Sequence, residues 1–329
     1  MGVLSLLLVL IAQLVNSAAR VTTESGKKMD TDNQARLVFD RMAIDFSNIP
    51  MRKDLDTVFY KGDKNDKVFF ISQAPSYYDN SLSSNEKSRI ALVGYRVSEQ
   101  GGSSSAFSLE RLGKGLTWDA SSGSDTPGGL VFTTGTAAPN NTLASTWSDI
   151  GSSPYLGTSD DYQTLADQVL RMEVCFQVKD ANTGKAAYSN YPVALGATIS
   201  SGPPSGGKAG DRWYDTANSR AYRCSKGTGG SALWQPIGLQ DVLGIVVTLV
   251  VLDNTSRKIA PDLANLIELF PDPDQVNDLG ATPPRLPAEI WESALKAALK
   301  NNSTGIPQAA AAQVRIYQRH FSLNSDLSL

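Results

Sequence analysis

The hydrophobic pattern changes character at the first proline, Pro50. Before it, Val3 to Ala19 carries no charge and is interrupted only by Ser5, Gln13, Asn16 and Ser17. The large apolar residues of this run are Val3, Leu4, Leu6, Leu7, Leu8, Val9, Leu10, Ile11, Leu14 and Val15. As a helix rising about 1.5 Å per residue, the run comes close to the roughly 30 Å of a bilayer core. From Val21 to Phe46 only Gly26 disfavours a helix, and Ala35, Phe39, Met42, Phe46 and Ile49 recur at alternating spacings of four and three. That spacing places them on one apolar stripe. Arg36 with Asp40 and Arg41 with Asp45 form i,i+4 pairs, expected on the exposed side. The residue before a proline is biased out of the α region, so the helix should stop near Pro50. The pattern therefore predicts a membrane or filament-core helix over 1–20 and an amphipathic helix over 21–49. In the second helix Phe39, Met42, Phe46 and Ile49 would pack against a globular head spanning 50–329.

Beyond Pro50 the period shortens. VFFIS (68–72), RIALVGYRV (89–97), FSLERL (107–112), VLRMEVCFQV (169–178), RAYRC (220–224), GIVVTLVVLD (244–253) and VRIYQRHFSL (314–323) all have strand character. Gly244 to Leu252 is apolar on both faces, which marks a central strand covered on one side by the amphipathic helix. In LRMEVCFQV, alternation points Leu170, Met172, Val174, Phe176 and Val178 inward and leaves Cys175 on the other face with Arg171 and Glu173. Residues 98–161 are rich in Gly, Ser, Thr, Asn and Pro and read as a surface excursion that Trp118 and Trp147 anchor. Residues 254–310 read as a helical insertion, with helices around Ala260–Phe270 and Pro287–Lys300, and 203–238 as an aromatic hairpin module. The expected fold class is α+β: a long N-terminal helix packed on an antiparallel β-sheet head with inserted loops and helices.

Composition narrows the function classes. The 329 residues, 41% hydrophobic and 19% charged, suffice for a sizeable core. A net charge of −3 and a pI near 5.3 argue against nucleic acid as partner. Two cysteines, Cys175 and Cys224, exclude a disulfide-rich scaffold and a multi-cysteine zinc site, and leave one bond open if the chain is exported.

Candidate chemistry is sparse. SGPPSGGKA has the G-x-x-x-x-G-K frame of a phosphate loop, with Gly202, Gly207 and Lys208. Ala209 stands where a magnesium-binding hydroxyl is needed, Pro203 and Pro204 remove N–H donors, and GDRWYD follows where a helix should start. The single histidine, His320, has no G-x-S-x-G nucleophile to serve, and the acid pair Asp160–Asp161 has no readable partner spacing. FPDPDQVNDLG offers Asp272, Asp274, Asn277 and Asp278, but Val276 and the missing closing glutamate break the calcium-loop pattern. No catalytic residue, cofactor site or metal site is expected. In GDRWYDTANSRAYRCSKGTGGSALWQPIG, Asp215 to Asn218 reads as a turn, and Trp213, Tyr214, Tyr222 and Trp234 form one aromatic cluster. That cluster is either a mini-core or a surface contact for a partner or sugar.

Residues alone leave three readings of the N-terminus open: a cleaved signal peptide with Ser17 and Ala19 at its processing site, a permanent anchor, or a stem that leaves the membrane for a filament. A helix through QARLVFDRMAIDFSNI, followed by a Y-R-V strand and an L-E-R strand (Gly94–Val97, Leu109–Arg111), resembles the type IV pilin-like proteins and is most similar to minor pseudopilin J of type II secretion. With QLVNSAARVTT, GDRWYDTANSRAYRC, LQDVLGIVVTLVVLD and VRIYQRHFSL added, the pattern resembles the Verru_Chthon cassette protein C group of pilin-like proteins. The resemblance implies a non-catalytic filament subunit, stored in the bacterial inner membrane through a single span, with its head in the periplasm or an extracellular filament. Its partners would be other pilin-like subunits, the membrane and a prepilin peptidase. It also implies a short basic leader and G-F-T-L-x-E before the apolar helix, expected in frame upstream of Met1, since Gln13 and Asn16 cannot replace that glutamate. The main alternative is a membrane-anchored or secreted β-rich adhesin.

Overall fold

The computed structural model describes residues 2–51, 57–62, 64–77, 87–99, 107–115, 162–180, 183–226, 232–260 and 263–323. Most of the 98–161 excursion, with Trp118, Trp147, Asp160 and Asp161, lies outside the described residues. The apolar and amphipathic segments form one unbroken helix, α1 (Gly2–Ser47, 46 residues). Polar side chains inside it turn back onto the helix, as Thr22 Oγ1 and Thr23 Oγ1 do in donating to the carbonyls of Ala18 and Ala19 at 2.9 Å. At its end Ser47 Oγ and Asn48 Nδ2 both donate to the Ile44 carbonyl, at 3.0 and 2.7 Å, and Pro50 prevents continuation. Ile49 lies just past the helix and is half-buried against the core.

The strands follow in chain order as β1 (Val58–Tyr60), β2 (Lys67–Ser72), β3 (Ser76–Tyr77), β4 (Lys87–Ser88), β5 (Ala91–Glu99), β6 (Phe107–Gly115), β7 (Tyr162–Ala166), β8 (Val169–Lys179), β9 (Ala186–Ser189), β10 (Thr198–Ser200), β11 (Arg212–Asp215), β12 (Arg220–Lys226), β13 (Leu233–Pro236), β14 (Val242–Val251) and β15 (Arg315–Ser322). Among the described residues they form an antiparallel sheet ordered β1-β2-β5-β6-β7, a second ordered β15-β14-β8-β9, a small sheet ordered β10-β11-β12-β13, and the β3–β4 pair. The Y-R-V and L-E-R strands pair as expected, with Tyr95 opposite Arg111 and Val97 opposite Leu109. Gly94 leaves room for the ring of Phe69, since a Cβ there would lie 2.3 Å from Phe69 Cδ1.

β14 is central to the second sheet, between β15 and β8. Helix α1 lies over the face that carries Phe321, whose ring sits 6.1 Å from Phe39 and 5.1 Å from Phe46. The other face is largely covered, with His320 left exposed at its edge. Between β14 and β15 the chain forms α2 (Asn254–Lys258), α3 (Ala264–Ile267), a π-helical turn (Gln275–Leu279), α4 (Pro287–Asn301) and α5 (Gln308–Ala311). This insertion covers that face, placing Leu279 against Cys175 and Val246 and the amide of Ala288 on the side chain of Gln318. Arg171, Glu173 and Cys175, expected on a second face of their strand, are therefore fully buried.

Candidate functional site

The first candidate is the stem and its joint to the head. Residues 2–26 are exposed throughout, including Val3, Leu4, Leu6, Leu7, Leu8, Val9, Leu10, Ile11, Leu14 and Val15. By length and composition this segment can cross a membrane. Contact with the head begins at Lys27, which pairs with Asp253 at 3.8 Å. Gln168 then donates to Asp30 at 2.7 Å, Tyr317 Oη reaches Thr31 and Asp32, and Arg319 donates to Asp40 at 2.8 Å. Below this polar collar the buried face of the helix is Thr31, Ala35, Val38, Phe39, Met42, Asp45 and Phe46.

Asp45 is the departure from the expected pattern. It is not on the exposed side with Arg41 but fully buried under the first sheet. Its carboxylate accepts from Tyr95 Oη at 2.5 Å, from Arg111 Nε at 2.6 Å and from Arg111 Nη2 at 3.0 Å, with Arg41 Nη2 at 3.3 Å on its outer side. Burial, reinforced by the Asp45 charge, pushes the Tyr95 hydroxyl well above its ordinary value, so it remains a donor. The bidentate Arg111–Asp45 fork fixes the rotation of α1 against the strands. The Tyr95–Arg111 cross-strand pair and the unbroken four-three spacing of positions 31, 35, 38, 42 and 45 both carry this signal in the sequence. The i,i+4 pairing of Arg41 with Asp45 obscures it.

A second ionic cluster was not apparent from any motif. Asn65 and Asp66, in the loop after Lys61, lie along the part of β8 that β9 leaves open: Met172 N donates to Asn65 Oδ1 at 2.8 Å, Asp66 N to the Met172 carbonyl at 3.2 Å, and Val174 N to Asp66 Oδ2 at 2.8 Å. Lys61 Nζ thereby reaches Glu173 Oε1 and sits 3.2 Å from Asp66 Oδ2 and 4.0 Å from Asp272 Oδ2. Arg171 Nη2 completes the cluster on Glu173 Oε2 at 3.1 Å and on Asp272. Burial raises the Asp66 carboxyl and raises Glu173 well above the ordinary carboxylate range.

The aromatic residues do not form one cluster. Successive strand residues point to opposite faces, so Trp213 and Tyr214 separate. Trp213 stacks on Tyr222 at 4.7 Å and meets Trp234 edge-on at 5.7 Å, with its Nε1 donating to Ser200 Oγ at 3.0 Å. Only 5% of Trp213 is exposed, so it is a packed ring of the module, while Tyr222 and Trp234 beside it are half-buried. Gly207 of the phosphate-loop-like turn seats Trp234: a Cβ there would lie 2.7 Å from its ring. Tyr214 instead fastens the module to the head, its ring 5.0 Å from Tyr191 and its hydroxyl donating to the Phe59 carbonyl at 3.1 Å. Tyr214→Phe should lower head stability by about 1 to 3 kcal/mol, read from urea unfolding, because a buried carbonyl loses its donor.

No protein-family model matches the chain, and no curated protein matches it. Among solved structures, a type IV-like pilin from Thermus thermophilus aligns over 89% of this chain and 95% of that one, at 10% identity and a TM-score of 0.30.

The remaining candidates serve the fold. Cys175 and Cys224 are free, buried thiols in different sheets, so the bond that the sequence left open is not formed in the structure. Asp274 Oδ1 accepts from the amides of Val276 and Asn277, and Asp278 accepts from Asp274 N and Arg285, so the acidic loop uses its oxygens to build its own turn. Among the described residues no group of three or more His, Cys, Asp or Glu is placed to hold a metal ion. His320 is exposed beside Tyr188, with ring centroids 6.1 Å apart.

Proposed function

We propose that the chain is a structural, non-catalytic pilin-like subunit, stored in a bacterial inner membrane through its N-terminal helix and assembled with other pilin-like subunits into a filament of the type II secretion or type IV pilus kind. The observation that carries this reading is the single helix whose first half is exposed and apolar while its second half is bolted to the head through Asp45. Lipid and neighbouring stems satisfy the apolar half equally well, so transfer between them runs at modest net cost. A rigid joint matters for a subunit that must carry load from head to stem. A tethered adhesin has no use for one, and Trp213 itself is buried rather than presented to a ligand. Membrane insertion by a prepilin route and handling by a prepilin peptidase belong to the same reading.

The full chain should partition with membranes or detergent, while a version shortened to begin at Lys27 should be soluble and folded. Sedimentation of both forms with and without detergent tests this. A full chain that stays monomeric in plain buffer sinks the stem. The soluble head should also join higher-order complexes with other pilin-like heads, read by size-exclusion chromatography.

A further inference from the structure

We propose that Lys61 and Glu173 condense into an intramolecular isopeptide bond that ties the edge of the first sheet to β8 of the second. The geometry brings an amine, an acid and a proton carrier together out of water. The side chains of Asp66 and Glu173 are fully buried, and that of Lys61 is 15% exposed. The loop is preorganised: besides its hydrogen bonds to β8, Gly62 N donates to Asp66 Oδ1 at 3.2 Å. Lys61 Nζ is therefore held against the Glu173 carboxyl, the arrangement in which proximity replaces collision. Three carboxyls, of Asp66, Glu173 and Asp272, face only two cations, Lys61 and Arg171. One acid is thus the natural place for a proton in a site that disfavours unbalanced charge, and Glu173, raised well above the carboxylate range first by burial and then by Asp66, is that acid.

The step balances within the cluster. Ionised Asp66 takes a proton from the Lys61 ammonium, and the neutral Nζ attacks Cδ of the Glu173 carboxylic acid. Arg171 Nη2, already on Oε2, stabilises the charge that grows there. The Nζ–Cδ bond forms and the Cδ–Oε1 bond breaks. Asp66 hands its proton to the departing hydroxyl, which leaves as water, and collects the second proton from nitrogen. Asp66 ends protonated, the total charge is unchanged, and no oxidant or reductant is needed. Burial lowers the Lys61 ammonium, but Asp66, Glu173 and Asp272 more than offset that and hold it above its ordinary value. The reacting amine is thus the minor form, and the bond matures after folding rather than during it. The product closes a covalent loop across 112 positions, enclosing the Gly- and Ser-rich excursion.

The test is the denatured intact mass of the full chain, purified in detergent and incubated overnight at physiological temperature. It should fall one water below the mass of the sequence, and trypsin should fail to cut after Lys61. Instead it should release a branched product joining the Lys61 segment to Met172–Lys179. Lys61→Met should keep the mass of its own sequence. Asp66→Asn, which retains both reacting groups, should slow condensation about a hundredfold. An unchanged mass with an ordinary peptide ending at Lys61 overturns the proposal and leaves an ionic network only. Water loss that maps to any other pair, Lys61 with Asp66 included, overturns it equally.

Discussion

Replacing Asp45 with alanine will remove about 3 to 5 kcal/mol of head stability, because the change leaves a buried guanidinium without its counter-charge. Arg111 is enclosed by the first sheet and donates to Asp45 through two nitrogens, and Tyr95 spends its hydroxyl on the same carboxylate. Tyr95 is fully buried and the Arg111 side chain only 8% exposed, so water is a poor substitute for the carboxylate. A loss of this size is a large part of the 5 to 15 kcal/mol that typically separates a folded domain from its unfolded chain. Urea unfolding of the form beginning at Lys27 measures it. Asp40→Ala is the control: Asp40 pairs with Arg36 and Arg319 at the surface, where solvent screens such pairs and their loss changes stability little. If both substitutions prove equally mild, α1 is not latched to the strands and the rigid joint is lost from the proposed function.

The replacement of Asp45 by asparagine separates charge from shape. The amide retains one acceptor oxygen for Arg111 or Tyr95 and should recover part of the loss. A buried ion pair is weak support for stability in itself, since its attraction is set against the dehydration of both charges. What the Asp45–Arg111 fork supplies is a unique rotation of the helix. Apolar stripes slide and rotate against a sheet with little penalty, whereas a bidentate pair tolerates one setting.

The major elements were legible because their periodicities are strong. A seven-residue recurrence of apolar positions marks α1, and alternation or continuous apolar runs mark β2, β5, β6, β8, β12, β14 and β15. The short strands β1, β9, β10 and β13 were not, because three or four residues are too few to establish a period and each is ordered by its neighbours. Tyr214 shows the limit in the hairpin module: four aromatic residues close in sequence look like one cluster, but strand alternation sends Trp213 and Tyr214 to opposite faces. The two ionic clusters were hidden for a different reason. Asp45 and Glu173 both sit beside charged residues in the chain, Arg41 one turn away and Arg171 two positions away, so local pairing suggests a solvated surface. Only the arrival of β6 over one and of Asn65, Asp66 and the helical insertion over the other makes them interior.

Phe46→Ala should match Asp45→Ala in magnitude by a separate route. The Phe46 ring lies 5.1 Å from Phe70, 6.1 Å from Tyr95 and 5.1 Å from Phe321, so it touches the first sheet on one side and the second on the other. Truncating a phenylalanine in such a position typically costs about 3 to 5 kcal/mol, from lost apolar burial and from the cavity left behind. Phe39 is 6% exposed and meets Phe321 at 6.1 Å, so Phe39→Ala should cost less. Arg36→Ala, on the solvated side with its side chain 82% exposed, should cost little. The order Phe46, Phe39, Arg36 in unfolding free energy is the signature of a docked helix, and three equal, negligible effects would remove it. The same variants report on the joint in the full chain. With α1 docked, Arg41 is only partly accessible and Asp45 engages it, which slows trypsin there relative to the exposed Arg36. Phe46→Ala should open that site, so that a head fragment beginning at Met42 appears beside the one beginning at Leu37. No more of the Met42 fragment than the unaltered chain yields would mean the two sheets do not depend on Phe46 for their hold on the helix.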